Sequence, residues 1–204
     1  DRAAASMPGK FRDLPKVEAS LRLVMGGAYQ DLGLDEQARN QYERALGLYR
    51  RASGRRSEQA LRAANLLGET CARLGRNKEA ESVFRENLAA AQGARRPQKL
   101  AAAGARYGLA LLRASAGKRR EALSLMETAV QEMRLLQGLE HEATLAAASQ
   151  LALLHGQLGN AAEAEQLLRE ILETRRRRLG DRHPDTLMSL NDLGLFCGRR
   201  GRVV

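Results

Sequence analysis

The chain has no tryptophan, only three phenylalanines and four tyrosines, and just two cysteines among its 204 residues. Aromatics at 3% are too few for the core of an all-β sandwich, and they offer little to stack on the bases of a single-stranded nucleic acid. No stretch approaches the roughly 18 apolar residues that a membrane helix needs, and no charged-then-apolar leader follows Asp1. Yet 44% of the residues are apolar, which is too many for a disordered chain. The first residue is not methionine, so we expect a fragment or a processed product. The composition reads as a soluble, helical protein, and two cysteines read as reduced packing residues agree with the cytoplasmic location we expect.

Basic residues number 34 against 24 acidic, a net charge of +10. Arginine outnumbers lysine 29 to 5, mostly as scattered pairs such as Arg50-Arg51 and Arg119-Arg120, with one run from Arg175 to Arg178. A basic balance attracts polyanions non-specifically. Pairs spread along the whole chain read instead as a solvated face.

The organising feature is an internal repeat. Gly33, Gly75, Gly117, Gly159 and Gly201 are each 42 residues apart. Five residues after the first four stand Ala38, Ala80, Ala122 and Ala164, and seven before each glycine is a small residue: Gly26, Gly68, Ala110, Ala152 and Gly194. The residue before each of these is apolar: Met25, Leu67, Leu109, Leu151 and Leu193. Apolar residues between the glycines recur at helical spacing, so each repeat reads as a helix A, a tight glycine turn and a helix B. The expected helices are 17–31, 35–51, 57–73, 77–92, 98–115, 119–137, 142–157, 161–178 and 184–199. Glycine suits the turn because it enters the left-handed region at no steric cost. The small residue in helix A and the alanine in helix B let the two helices approach closely. The loop Gly180 to Thr186, with an imperfect copy at Gly138 to Thr144, starts a helix with Pro184 at its first position and Asp185 or Glu142 at its positive end.

These residues carry a resemblance. Gly26, Tyr29, Gly33, Ala38, Tyr42 and Ala45 follow the tetratricopeptide (TPR) pattern. The 42-residue length, with the loop at Gly180 to Thr186 and the segment Ser189 to Gly194, is similar to the longer variety in kinesin light chains, also found in bacterial signalling proteins and arrays linked to serine/threonine kinases. The resemblance implies an all-α fold, a right-handed superhelical solenoid of antiparallel helix pairs with about four and a half repeats. The expected organisation is a lead-in or end of a preceding helix over 1–14, a TPR array over 15–201, and a truncated end over 202–204. Its repeats fall at about 15–56, 57–98, 99–140, 141–182 and 183–201. Because both ends stop in mid-repeat, either helix 184–199 acts as a cap or, the reading we favour, the array continues in a parent protein. The chain departs from the pattern where a large aromatic is usual early in helix A: Arg22, Ala64, Arg106, Ala148 and Leu190 hold that column.

The sequence offers no catalytic constellation. His141-Glu142 opens like the zinc-protease motif HExxH but lacks the second histidine, and is a helix start shared with His183. His155 lies within a helix and reads as a packing residue. Phosphate-loop and nucleophile-elbow motifs are absent from the sequence. Cys71 and Cys197 share a repeat phase three repeats apart, beyond disulfide reach. We therefore expect no enzyme, no cofactor and no metal.

The resemblance further implies that helix A of each repeat lines a concave face, with helix B outside. The residues expected to meet a ligand there are Gln30 and Asp31, then Arg62, Asn65, Glu69 and Arg73, then Tyr107 and Leu111. Ser149, Gln150, Leu153 and Gln157 follow, and finally Asn191, Asp192, Leu195 and Arg199. The cations Arg62, Arg73 and Arg199 and the anions Asp31, Glu69 and Asp192 balance, which suits an extended or helical peptide whose backbone Asn65 and Asn191 would bond. The leading expectation is a non-catalytic scaffold that holds a protein or peptide segment. Alternatives are a regulatory or sensor region contacting a catalytic domain, such as a kinase, in cis, and nucleic-acid binding through the arginine-rich side. No membrane partner is expected.

Overall fold

In the computed structural model the described residues are 11, 13–91 and 96–198, without the side chains of 96 and 97. They form nine α-helices and no strand: α1 Pro15–Asp31, α2 Asp35–Ser53, α3 Glu58–Arg73, α4 Asn77–Ala90, α5 Arg96–Ser115, α6 Arg119–Gln137, α7 Glu142–Leu158, α8 Ala161–Leu179 and α9 Pro184–Gly198. The fold class is all-α, as expected. The helix bounds fall within two residues of those read from periodicity, except that residue 199 lies outside the described residues, as does Gly201. None of the described helices is long and apolar enough to cross a membrane.

The chain divides into two compact units, residues 1–112 and 113–204, with the boundary inside α5. In the first, α1 pairs with α2, α2 with α3 and α3 with α4; in the second, α6, α7, α8 and α9 pack each on the next. Odd-numbered helices are the A helices of the repeat and even-numbered ones the B helices.

The turn between A and B has the same bonding wherever its glycine is described. Gly33, Gly75, Gly117 and Gly159 have φ of 71° to 84°. Past each of them the chain folds back, so that Leu34 N–H donates to Tyr29 O (2.8 Å), Arg76 to Cys71 O, Lys118 to Arg113 O and Asn160 to His155 O (each 2.9 Å). This six-to-one bond satisfies a carbonyl that the helix end would otherwise orphan. A second set of glycines closes the B helices. Gly54, Gly138 and Gly180 have φ of 85° to 91° with ψ near 160°, a region essentially reserved for glycine.

In the first, second and fourth repeats the small residue of helix A packs with a large one on helix B. A Cβ built at Gly26 would lie 2.3 Å from Tyr42 Cε1, and one at Gly68 would lie 2.6 Å from Phe84 Cε1. Both rings are 1% exposed. In the second unit the corresponding pair is Ala152 with Leu168, which share a core with Leu172, Leu193 and Cys197. Glycine thus accompanies a flat ring and alanine an aliphatic side chain, so close approach is kept while the core stays filled.

The loop histidines cap helices. His141 Nδ1 accepts from Ala143 N–H and His183 Nδ1 from Asp185 N–H, each at 3.2 Å. Pro184 and Glu142 open α9 and α7 as the sequence implied.

Candidate functional site

The residues expected on the ligand-facing side divide sharply once their hydrogen bonds are known. In the first unit, two amides are spent inside the fold. Gln30 Nε2 donates to Thr70 Oγ1 (2.8 Å) and Gln30 Oε1 accepts from the Tyr42 hydroxyl (2.7 Å), tying α1, α2 and α3 together. Asn65 Nδ2 donates to Ala101 O (2.8 Å) while Asn65 Oδ1 accepts from Asn87 Nδ2 (2.6 Å), which links α3, α4 and α5. Asn87, 1% exposed, also donates to Leu61 O at 3.0 Å. Asn65 therefore does not present a free amide to a peptide backbone; its polar atoms stitch neighbouring repeats.

Charge on this face also departs from the expected balance. Arg73 pairs with Asp35 at the start of α2, at 2.9 Å. Arg62 is exposed, as are Asp31 and Glu69, and none of the three has an ion-pair partner among the described residues. The protein packed around Glu69 raises its carboxyl above the usual range by desolvation. Tyr107 is half-buried, its phenol raised by burial and then by the charge of Glu69, and Leu111 is half-buried beside it on the chain.

In the second unit the expected residues converge. Ser149, Gln150, Leu153 and Gln157 from α7, with Asp192 and Leu195 from α9, line one cavity of about 630 Å³. Sequence reasoning missed its floor. Phe196 lies against α7 where residue 156 is glycine; a Cβ there would come within 3.1 Å of Phe196 Cε2. Ala152, Gly156, Gly159, Ala161 and Leu168 complete the apolar lining. Leu153 and Leu195 line the cavity and remain 53% and 54% exposed. Of the polar members, Ser149 Oγ donates to Leu145 O (3.0 Å) and Gln157 Oε1 accepts from Arg119 Nε (3.3 Å). Gln150 and Asp192, 42 residues apart and therefore in the same phase of neighbouring A helices, have no partner among the described residues. Asn191 is exposed but does not line the cavity, and Arg199 lies outside the described residues.

The arginines are largely occupied on the other helices. Arg39 binds Glu79 (2.6 Å), Arg76 binds Glu36 (2.7 Å) and Arg134 binds Glu170 (2.7 Å), each joining one repeat to the next. In the run of four, Arg175 is 7% exposed and donates to Ser189 Oγ (2.8 Å) and Glu142 Oε1 (2.6 Å). Arg176 pairs with Glu173 (3.0 Å) and Asp181 (3.2 Å), Arg177 with Glu140 (3.0 Å), and Arg178 donates to the Glu140 carbonyl. No group of His, Cys, Asp and Glu among the described residues is arranged to hold a metal ion. Cys71 is fully buried, and that burial pushes its thiol up to about 11.

Two sequence profiles of the tetratricopeptide repeat match the chain, over residues 17–93 and 144–185, together more than half its length. No curated protein matches it. Among solved structures, a Podosopora anserina protein described as a kinesin light chain with nearly identical TPR-like repeats is similar, with a TM-score of 0.72 and 22% identity over 92% of this chain and 88% of that one. BtubC (BKLC) from P. vanneervenii gives a TM-score of 0.65 and 21% identity over 89% of this chain and 66% of its own. The apo form of RapI gives 0.71 and 12%, over 98% and 75%. Likeness at these identities reports a shared fold. With the 42-residue period and the glycine turns, the matches establish that this chain belongs to the tetratricopeptide-repeat family.

Proposed function

We propose that the chain is a non-catalytic interaction module that binds a peptide or protein segment on its A-helix face, with an anchoring side chain seated in the α7–α9 cavity. The observation that carries this reading is the cavity itself. Its volume of about 630 Å³ falls in the range of ligand sites, its floor is apolar, and its polar groups stand at the rim. Leu153 and Leu195, both lining it, are more than half exposed. Burying a fully exposed leucine is worth roughly 1.5–3 kcal/mol, so covering the exposed half of each is worth about 0.8–1.5 kcal/mol, and a ligand that closes over both gains this without displacing an existing contact. The arginine pairing supports a protein ligand over a polyanion, because three of the four side chains in the densest basic run are engaged by carboxylates and the fourth by a backbone carbonyl.

The test is affinity capture from source-cell lysate treated with nuclease, comparing the native chain with a Leu153→Ser/Leu195→Ser variant. Both leucines are more than half exposed, so the variant keeps the helical circular-dichroism spectrum of the native chain. A protein retained by the native chain and lost by the variant is expected. Equal capture by both would sink the groove reading, and capture abolished by nuclease would transfer the function to the arginines.

A further inference from the structure

The cavity carries more information than its size, because its electrostatics contrast with those of the molecule. Among the described lining residues Asp192 is the only charged one, and it has no ion-pair partner among the described residues. Most carboxylates of this unit are paired with arginine, although Glu163 on α8 is likewise without an ion-pair partner among the described residues. Glu140, Glu142, Glu165, Glu170 and Glu173 each hold an arginine within 3.0 Å. A chain of net charge +10 with arginine on nearly every helix thus leaves one carboxylate uncovered beside an apolar cavity.

We infer that the occupant of this cavity is a basic–apolar peptide segment, with one bulky aliphatic or aromatic side chain against Phe196, Leu153 and Leu195 and a lysine or arginine paired with Asp192. This rests on the peptide-binding reading above and specifies its ligand. Gly156 lets the Phe196 ring lie close to α7, and a cavity of about 630 Å³ has room for a side chain larger than alanine. Beside Asp192, at the same height on α7, the unpartnered Gln150 amide is free to bond the backbone of the segment. An acidic flank would gain nothing at Asp192 and would meet its charge. The net +10 opposes a basic ligand mainly at long range, because screening at physiological ionic strength confines strong interactions to about 8 Å; Asp192 is the one charge among the described lining residues, while Arg119 reaches the rim at Gln157 (3.3 Å), so the cation of the segment belongs on the Asp192 side.

The experiment is to pan a random peptide library displayed on phage against the native chain, then to measure the enriched peptides by fluorescence anisotropy. Expected sequences carry a lysine or arginine within about three positions of a bulky apolar residue. Changing that cation to glutamine should weaken binding to the native chain about two- to fivefold, as for a partly exposed ion pair, and should change nothing in Asp192→Asn. Changing the apolar residue to alanine should cost about tenfold or more. Asp192→Glu should restore the response to the cation. Enriched peptides with acidic flanks, or a cation whose removal costs the same in native and Asp192→Asn chains, would overturn the inference while leaving the groove reading intact. If no enriched peptide loses binding to the Leu153→Ser/Leu195→Ser variant, the groove reading itself fails, and this inference with it.

Discussion

Replacing Gly68 by alanine should destabilise the chain, whereas the same change at Gly194, in the same phase of the repeat, should stabilise it. At position 68 the new Cβ would lie 2.6 Å from Phe84 Cε1 and 2.7 Å from Cζ. The ring cannot swing away, because on its other face a Cβ at Gly108 would lie only 2.3 Å from Cζ, and Phe84 is 1% exposed. Overpacking of this kind costs roughly 1–3 kcal/mol, here at the upper end, while exchanging glycine for alanine in a helix returns about 1 kcal/mol. The net loss is therefore about 1–2 kcal/mol. At position 194 no described atom lies within 4 Å of the new Cβ, so only the helical gain remains. The assay is urea unfolding followed by far-UV circular dichroism, since the chain has no tryptophan to report by fluorescence. Midpoints are the quantity to compare, because repeat arrays need not unfold in a single step. Adding Phe84→Leu to Gly68→Ala should cost less than the two single losses summed, since the second unit already uses Ala152 with Leu168. Equal stability of Gly68→Ala and the native chain, or shifts of one sign at both glycines, would refute the reasoning.

Four further outcomes concern individual polar groups and the two thiols. Arg175→Met removes the bonds to Ser189, itself 3% exposed, and to Glu142, and should lower stability by about 1–3 kcal/mol, whereas the exposed Arg177→Met should stay within about 0.5 kcal/mol; urea midpoints decide. Both cysteines are buried, so a thiol reagent at mildly alkaline pH should label neither in the native chain and both in urea; rapid labelling of the native chain would contradict the packing. The Cys71 thiol is raised to about 11 in the fold, so stability present below its unfolded value near 8.5 should be lost as pH climbs towards 11, and Cys71→Ser should flatten that slope. Glu69 has a carboxyl raised by desolvation, so its charged form is disfavoured at neutral pH; Glu69→Gln should raise the urea midpoint there and lose its advantage as the pH falls.

Helices and turns were legible because their chemistry is local. A glycine every 42 residues, alanine five positions later and a helix start built on Pro184 or Glu142 place each element without knowledge of its neighbours. The commitments of Gln30 and Asn65 were not legible, since their partners are up to 40 residues away, on other repeats, and a single helix face cannot reveal them. Two signals were present and unread. Tyr42, Phe84, Met126 and Leu168 follow one another at 42-residue intervals, and the first two face Gly26 and Gly68 where the last shares its core with Ala152. Gly138 and Gly180 form a second glycine column with Gly54, obscured because Arg96 interrupts it. Within the site, the α7 and α9 residues were placed by phase alone, while Phe196 and Gly156 needed the packing of one helix on the next.

The most direct test of the account is amide chemical-shift mapping of the chain as a tightly binding panned peptide is added. The account predicts that the largest shifts cluster at residues 149–157 and 192–196, and that Leu153→Ser/Leu195→Ser abolishes them. Shifts concentrated on the outward faces of α6 and α8, or unaffected by that variant, would contradict the claim that the cavity between the A helices is where this protein meets its partner.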